Sequence, residues 1–136
     1  MGSFIFLDHT ADLQVECRAE NFLSLLETAA QALYAVAFKI RSTRSIIARR
    51  FQLSAENRER LLIRWLQELI YLMDAERFVG TAFDLNEPSP GRLEAVVQGY
   101  VYRPEDRAEE VKAATYHALE VTEGPQGCVA RVTLDL

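Results

Sequence analysis

Leu61, Leu62, Trp65, Leu66, Leu69, Ile70 and Met73 recur at three- and four-residue steps. This stripe constrains the fold most. It predicts a helix running to about residue 76, with Ser54 or Asn57 as its cap. Glu56, Arg58, Glu59, Arg60, Arg64, Gln67 and Glu68 take the opposite side. A helix with one apolar face must bury it against another layer. The flanking sequence offers that layer as runs of period-two alternation, the mark of half-buried strands.

A second helix is expected over residues 21–38. Phe22, Leu25, Leu26, Ala29, Leu33 and Val36 make its apolar stripe, with Asn21 as N-cap. Strands are expected at residues 4–7, 13–17, 45–53, 79–85, 93–101, 111–122 and 129–135. The first is a short continuous apolar run and reads as buried. In the third, Arg49 interrupts the face made by Ile47, Phe51 and Leu53, which suggests an edge position. Residues 86–91 and 123–127 read as turns by composition. Pro104 before an acidic stretch points to a short helical turn over residues 105–110. The whole implies an α+β fold: one two-layer domain over residues 1–136, with two main helices on one face of a mostly antiparallel or mixed sheet.

A chain of 136 residues suits one core. Hydrophobic residues make up 49% and charged residues 26%, an ordinary globular balance. No apolar run is long enough to span a bilayer, and the start lacks signal-peptide character. A cytoplasmic protein without a membrane partner is expected. The net charge of −5 and pI of about 5.1 argue against strong, direct nucleic-acid binding. Arg41, Arg44, Arg49 and Arg50 form the one basic cluster, which reads either as a solvated strand face or as a docking patch. Cys17 and Cys128 have neither CxxC nor zinc spacing and read as small buried residues.

Chemistry gathers at the two ends. Asp8-His9-Thr10-Ala11-Asp12 joins the first two strand-like runs, and Asp135 and Leu136 close the sequence. Termini often lie close together at the surface. Asp12, Asp135 and the Leu136 carboxylate would then form a cluster of hard oxygens suited to a divalent cation. On local pattern alone, the plainer reading is that Asp8 and Asp12 shape a turn and Asp135 is solvated. Lys112-Ala113-Ala114-Thr115-Tyr116-His117 is the second polar stretch. It reads as an ordinary strand face or as a row able to bind phosphate or a partner carboxylate. No GxSxG elbow, Gly-rich phosphate loop, HExxH or EF-hand pattern is present, which lowers the odds of catalysis.

Taken together and in order, His9-Thr10-Ala11-Asp12, Leu61-Leu62 with Trp65-Leu66, Lys112-Ala113-Ala114-Thr115-Tyr116-His117 and the Asp near the C-terminus resemble the archease family. That family assists the GTP-dependent tRNA-splicing RNA ligase of the RtcB type. The resemblance implies a non-enzymatic protein that promotes ligase guanylylation and repeated turnover. It implies a divalent metal (Ca²⁺, Mg²⁺ or Mn²⁺) on Asp12 and Asp135, with Leu136 as a further ligand, and so reverses the local reading of those aspartates. His9, Thr10, Lys112, Thr115 and His117 become partner-binding or supporting residues. Two departures stand out. Arg18-Ala19-Glu20-Asn21 lacks the glycine common after the second strand, and residues 104–110 are acidic without the family's histidine or extra basic residues. Other classes stay open: a chaperone-like modulator of a tRNA-modifying enzyme such as a tRNA methyltransferase, or a small metal-dependent hydrolase using Asp12, His9 and His117.

Overall fold

Asn57 caps the central helix, its side chain accepting from the Arg60 amide at 2.9 Å. The computed structural model describes residues 2–7, 12–39 and 41–136. Within them the chain runs β1 (Gly2–Leu7), β2 (Asp12–Ala19), α1 (Phe22–Ala37), β3 (Ile47–Ser54), α2 (Arg58–Glu76), β4 (Phe78–Ser89) and β5 (Arg92–Val101). A single 3₁₀ turn (Pro104–Asp106), β6 (Ala113–Gly124) and β7 (Gly127–Asp135) follow. Both helices start where polar side chains can satisfy their first amides. Asn21 caps α1 by accepting from the Ser24 amide at 2.9 Å.

The α+β class holds, and all strand pairing is antiparallel. The strands are shared between two sheets, one in the order β1-β2-β7-β6 and one in the order β3-β5-β4. Both helices touch strands of both sheets, which accounts for how much of each helix is buried. Trp65 sits at the centre of this arrangement. Its indole N–H donates to the Leu26 carbonyl at 2.8 Å, joining the helices. Phe51 and Phe83 of the three-stranded sheet flank its ring at centroid distances of 5.9 and 6.0 Å. Truncating such a residue to alanine costs roughly 3–5 kcal/mol.

Two ties close the layers. Arg58, at the start of α2, forks onto Glu87 of β4 at 3.0 and 2.5 Å and reaches Glu123 of β6 at 2.5 Å. It therefore joins both sheets, and these carboxylates push its already high pKa higher still. Across β4 and β5, Gly80 pairs with Gly99. A Cβ on Gly99 would lie 1.8 Å from the Val79 carbonyl oxygen, so the backbones approach there as only glycine permits.

Four local expectations change. The helical turn expected over residues 105–110 is only the 3₁₀ turn at Pro104–Asp106. β1 is an edge strand and is not buried: Ile5 is 54% exposed and Phe6 46%. A continuous apolar run reads as covered on all sides, but nothing in it says whether a neighbour flanks it. The turn expected at 86–91 is shorter, because β4 continues to Ser89. Pro88 fits there because β4 is an edge strand and the register slips between Asn86 and Ser89. In β6, residues 116–119 stand opposite Val132 alone. This bulge inverts the alternation, so Thr115 pairs with Thr133 while Val121 pairs with Ala130. Arg49 does lie on an edge strand, where it pairs with Glu76 at 2.5 Å and covers the Phe78 ring. No helix of the described residues is long and apolar enough to cross a membrane.

Candidate functional site

The two central strands of the four-stranded sheet, β2 and β7, come from opposite ends of the sequence. Their register sets Asp12 opposite Asp135. Cross-strand partners share one face of a sheet, with Cα atoms about 4.5–5.5 Å apart. Leu13, Val15 and Cys17 pack into the core with Ala130, Val132 and Leu134. The alternation then turns Asp12, Gln14 and Glu16 outward beside Asp135, Thr133 and Arg131. Asp12 is exposed and Asp135 half-buried, and neither is ion-paired among the described residues.

β6 completes the rim. Asp135 also stands opposite Ala113, and its carbonyl accepts from the Lys112 amide at 2.8 Å. The Lys112 side chain is exposed. The bulge at residues 116–119 turns on Ala118, which has a positive φ of 53°. Its carbonyl at His117 accepts from the Thr133 hydroxyl at 3.0 Å, and the His117 amide meets the Thr115 hydroxyl at 3.4 Å. The first of these bonds satisfies the Thr133 hydroxyl, which is only 3% exposed on the outer side of the sheet. The His117 side chain is exposed. Leu136 is partly buried and packs against the core, which holds the residue after Asp135 in place.

Asp12, Asp135, Leu136, Lys112, Thr115 and His117 thus belong to neighbouring parts of one sheet end. His9 and Thr10, with Asp8, lie outside the described residues. Gln14 and Thr133 share the row next to the aspartates, and sequence reading passes over them. The one local signal for Thr133 is the alternation Val129, Arg131, Thr133, Asp135, which sets it in line with Asp135. Farther along, buried Glu16 accepts from Arg131 at 3.0 Å and from Arg18 at 3.2 Å. The Arg131 hydrogen bond, helped by Arg18, holds the Glu16 carboxyl below its usual range despite the opposing effect of burial.

Two facing carboxylates with no ion-pair partner among the described residues repel each other and offer hard oxygen donors. That donor set fits Ca²⁺, Mg²⁺ or Mn²⁺ and suits a soft, thiol-seeking metal poorly. Among the described residues, no three His, Cys, Asp or Glu side chains group closely enough to hold a metal ion, so the side chains supply a pair. Both cysteines are free and buried. Desolvation, with Glu16 adding repulsion, pushes the Cys17 thiol up to about 12, which removes it as a nucleophile.

Comparison with known proteins matches residues 4–136 to the model of the archease protein family (MTH1598/TM1083). The chain belongs to the archease family. Protein archease of Archaeoglobus fulgidus is 34% identical over 136 residues, covering 96% of this chain and 97% of the relative. Protein archease of Methanothermobacter thermautotrophicus is 31% identical over 140 residues, covering all of both. The solution structure of Methanobacterium thermoautotrophicum protein 1598 superimposes with a TM-score of 0.79 at 28% identity, covering 98% of each chain. The crystal structure of an archease and possible chaperone from Thermotoga maritima superimposes with a TM-score of 0.71 at 20% identity, covering 96% and 94%, and bears on the fold alone. The archease pattern therefore spans both acidic ends of the chain and the β6 stretch between them.

Proposed function

We propose that this archease is a non-enzymatic activator of an RtcB-type RNA ligase, acting through a divalent cation held at Asp12 and Asp135. The observation that carries this reading is the cross-strand pairing of Asp12 with Asp135. The Leu136 carboxylate would be a further oxygen ligand. Lys112, Thr115 and His117, with His9 and Thr10, would contact or support the partner. Bound there, a cation would cancel the repulsion of the two carboxylates and give this end of the sheet a positive centre to present.

The ligase has to accept a guanylyl group on a histidine with Mn²⁺ and triphosphate in place. A partner protein can promote that step only by binding the competent ligase state better than the others. The β6 bulge and the aspartate pair lie on one outer sheet face, which suits a rigid docking element. The acidic balance of the chain favours a protein partner over RNA.

The test is a ligase guanylylation assay with GTP, with and without this protein. Wild-type protein should stimulate, and Asp12→Ala should fold normally yet stimulate no further than buffer. Full stimulation by Asp12→Ala would remove the metal role. Absence of stimulation by the wild-type protein would remove the ligase role. Retention of a tRNA methyltransferase in a pull-down would then favour the chaperone-like reading, a description also given to the Thermotoga relative.

A further inference from the structure

Many charged side chains of the strands have partners: Arg49 with Glu76, Glu87 and Glu123 with Arg58, and Glu16 with Arg18 and Arg131. The outer face of the three-stranded sheet differs. Phe51, Leu53, Leu93, Ala95, Phe83 and Leu85 pack into or against the core. The alternation therefore turns Arg50, Arg92, Glu94 and Asp84 outward, where all four are exposed. Two cations and two carboxylates share this face, yet none of the four is ion-paired among the described residues.

The charges are set out about the middle strand. Arg50 of β3 stands opposite Val96 of β5, and Val96 stands opposite Asp84 of β4. A cation and a carboxylate thus flank β5 in one row, their backbones about 9–10 Å apart. The next row repeats the arrangement with amides, Gln52 and Asn86 on either side of Glu94. The Asn86 side chain donates to Glu94 at 3.1 Å. Pairing across these two rows is regular, because the register shifts of β4 lie outside Ala82–Asn86.

We propose that this face is the contact of a symmetric homodimer. A two-fold axis along β5, between two copies set face to face, brings β3 of each against β4 of the other. Arg50 of one copy then meets Asp84 of the second at two places, Gln52 meets Asn86, and Val96 meets Val96 at the centre. Glu94 falls on the axis, where Arg92, one row along the same strand, offsets the repulsion between the two copies. An unrelated partner would need its own matching row of opposite charges, whereas a second copy carries it already. Eight residues of β3 and three strand spacings give a face of roughly 26 by 14 Å. That is less than a standard stable interface, so the dimer is weak and sensitive to salt. This surface is separate from the aspartate pair, and the proposal does not depend on the ligase reading.

Sedimentation equilibrium of the whole chain at low and high salt tests it. The wild-type protein should show a monomer–dimer equilibrium between roughly 10 µM and 1 mM, weakened by added salt. Arg50→Glu alone and Asp84→Arg alone should each weaken it at least about tenfold, because each sets like charges against one another at both contacts. An equal mixture of the two variants should restore the dimer, since in the mixed pair both contacts again join a cation to a carboxylate. Both positions are exposed, and unchanged thermal melts will show that the variants fold. A wild-type protein that stays monomeric at about 1 mM in low salt would overturn the proposal. Unweakened dimerisation of either variant alone would also overturn it, as would a mixture that fails to restore the dimer.

Discussion

The Thr133 hydroxyl donates to the His117 carbonyl at 3.0 Å, tying the last strand to the bulge of the one beside it. The bond closes over a buried threonine, so a mutant lacking it leaves a carbonyl without its partner. Thr133→Val should cost about 1 kcal/mol of stability. It should also speed amide exchange at residues 116–119, while Thr133→Ser restores protection. Hydrogen exchange followed by mass spectrometry reads both.

Asp12 and Asp135 should behave oppositely with and without cations. In chelator, replacing either one with Asn removes a like-charge pair across β2 and β7 and should raise stability by about 0.2–1 kcal/mol. In added Ca²⁺, Mg²⁺ or Mn²⁺ the wild-type protein alone should gain, by about 2.7 kcal/mol at a hundredfold excess over Kd. Thermal melts in the two conditions, compared across the three proteins, show whether the order reverses.

Arg58 is expected to act as a shared clamp. Its side chain is 36% exposed and that of Glu87 only 8%, so removing the arginine strands a carboxylate that water reaches poorly. Solvent at the arginine end tempers the loss, and Arg58→Met should cost about 1–2 kcal/mol. In a double-mutant cycle with Glu87→Gln the two losses should be smaller together than their sum. Urea denaturation at constant m-value measures this.

The Glu16 carboxyl is held below its ordinary value of 4.5 by the hydrogen bond from Arg131. A group with a depressed folded pKa stabilises the protein fully above its unfolded value and loses that contribution as pH falls through the folded one. Stability should therefore drop on acidification from below about pH 5, with Glu16 one of the groups responsible. Glu16→Gln should flatten that part of the Tm profile and leave the slope near neutrality unchanged.

Much of the fold is legible in local pattern. The stripes of α1 and α2 and the cap Asn21 follow from side-chain spacing and from the backbone amides that a helix start leaves open, while the structure chooses Asn57 over Ser54 as the cap of α2. The half-buried strands β2, β5 and β7 follow from alternation. The edge position of β3 is foretold by Arg49, an ion intruding on an apolar face. Other features escape local reading. The β6 bulge breaks an alternation that looks continuous from Val111 to Val121, because a bulge is chosen by the partner strand and by what lies over it. The exposed β1 reads as buried because an apolar run reports composition and not neighbours. The Arg58 clamp joins residues from α2, β4 and β6, and no window of sequence contains all three.

The candidate site divides the same way. The acidic ends and the 112–117 stretch are visible as residues, while Gln14 and Thr133 enter only when the register of β2 and β7 is known.

By itself, the sequence determined the two main helices, most of the strands, where the first helix begins, the burial of both cysteines and of the helix stripes, and the family likeness. Those outcomes rest on spacing along a few turns or residue pairs. Tertiary structure alone decided the division into two sheets, the open edge at β1, the inverted face in β6 and the alignment of Asp12 with Asp135. Each of these is set by pairing between distant segments, whose energy depends on the whole set of competing partners and not on any one of them.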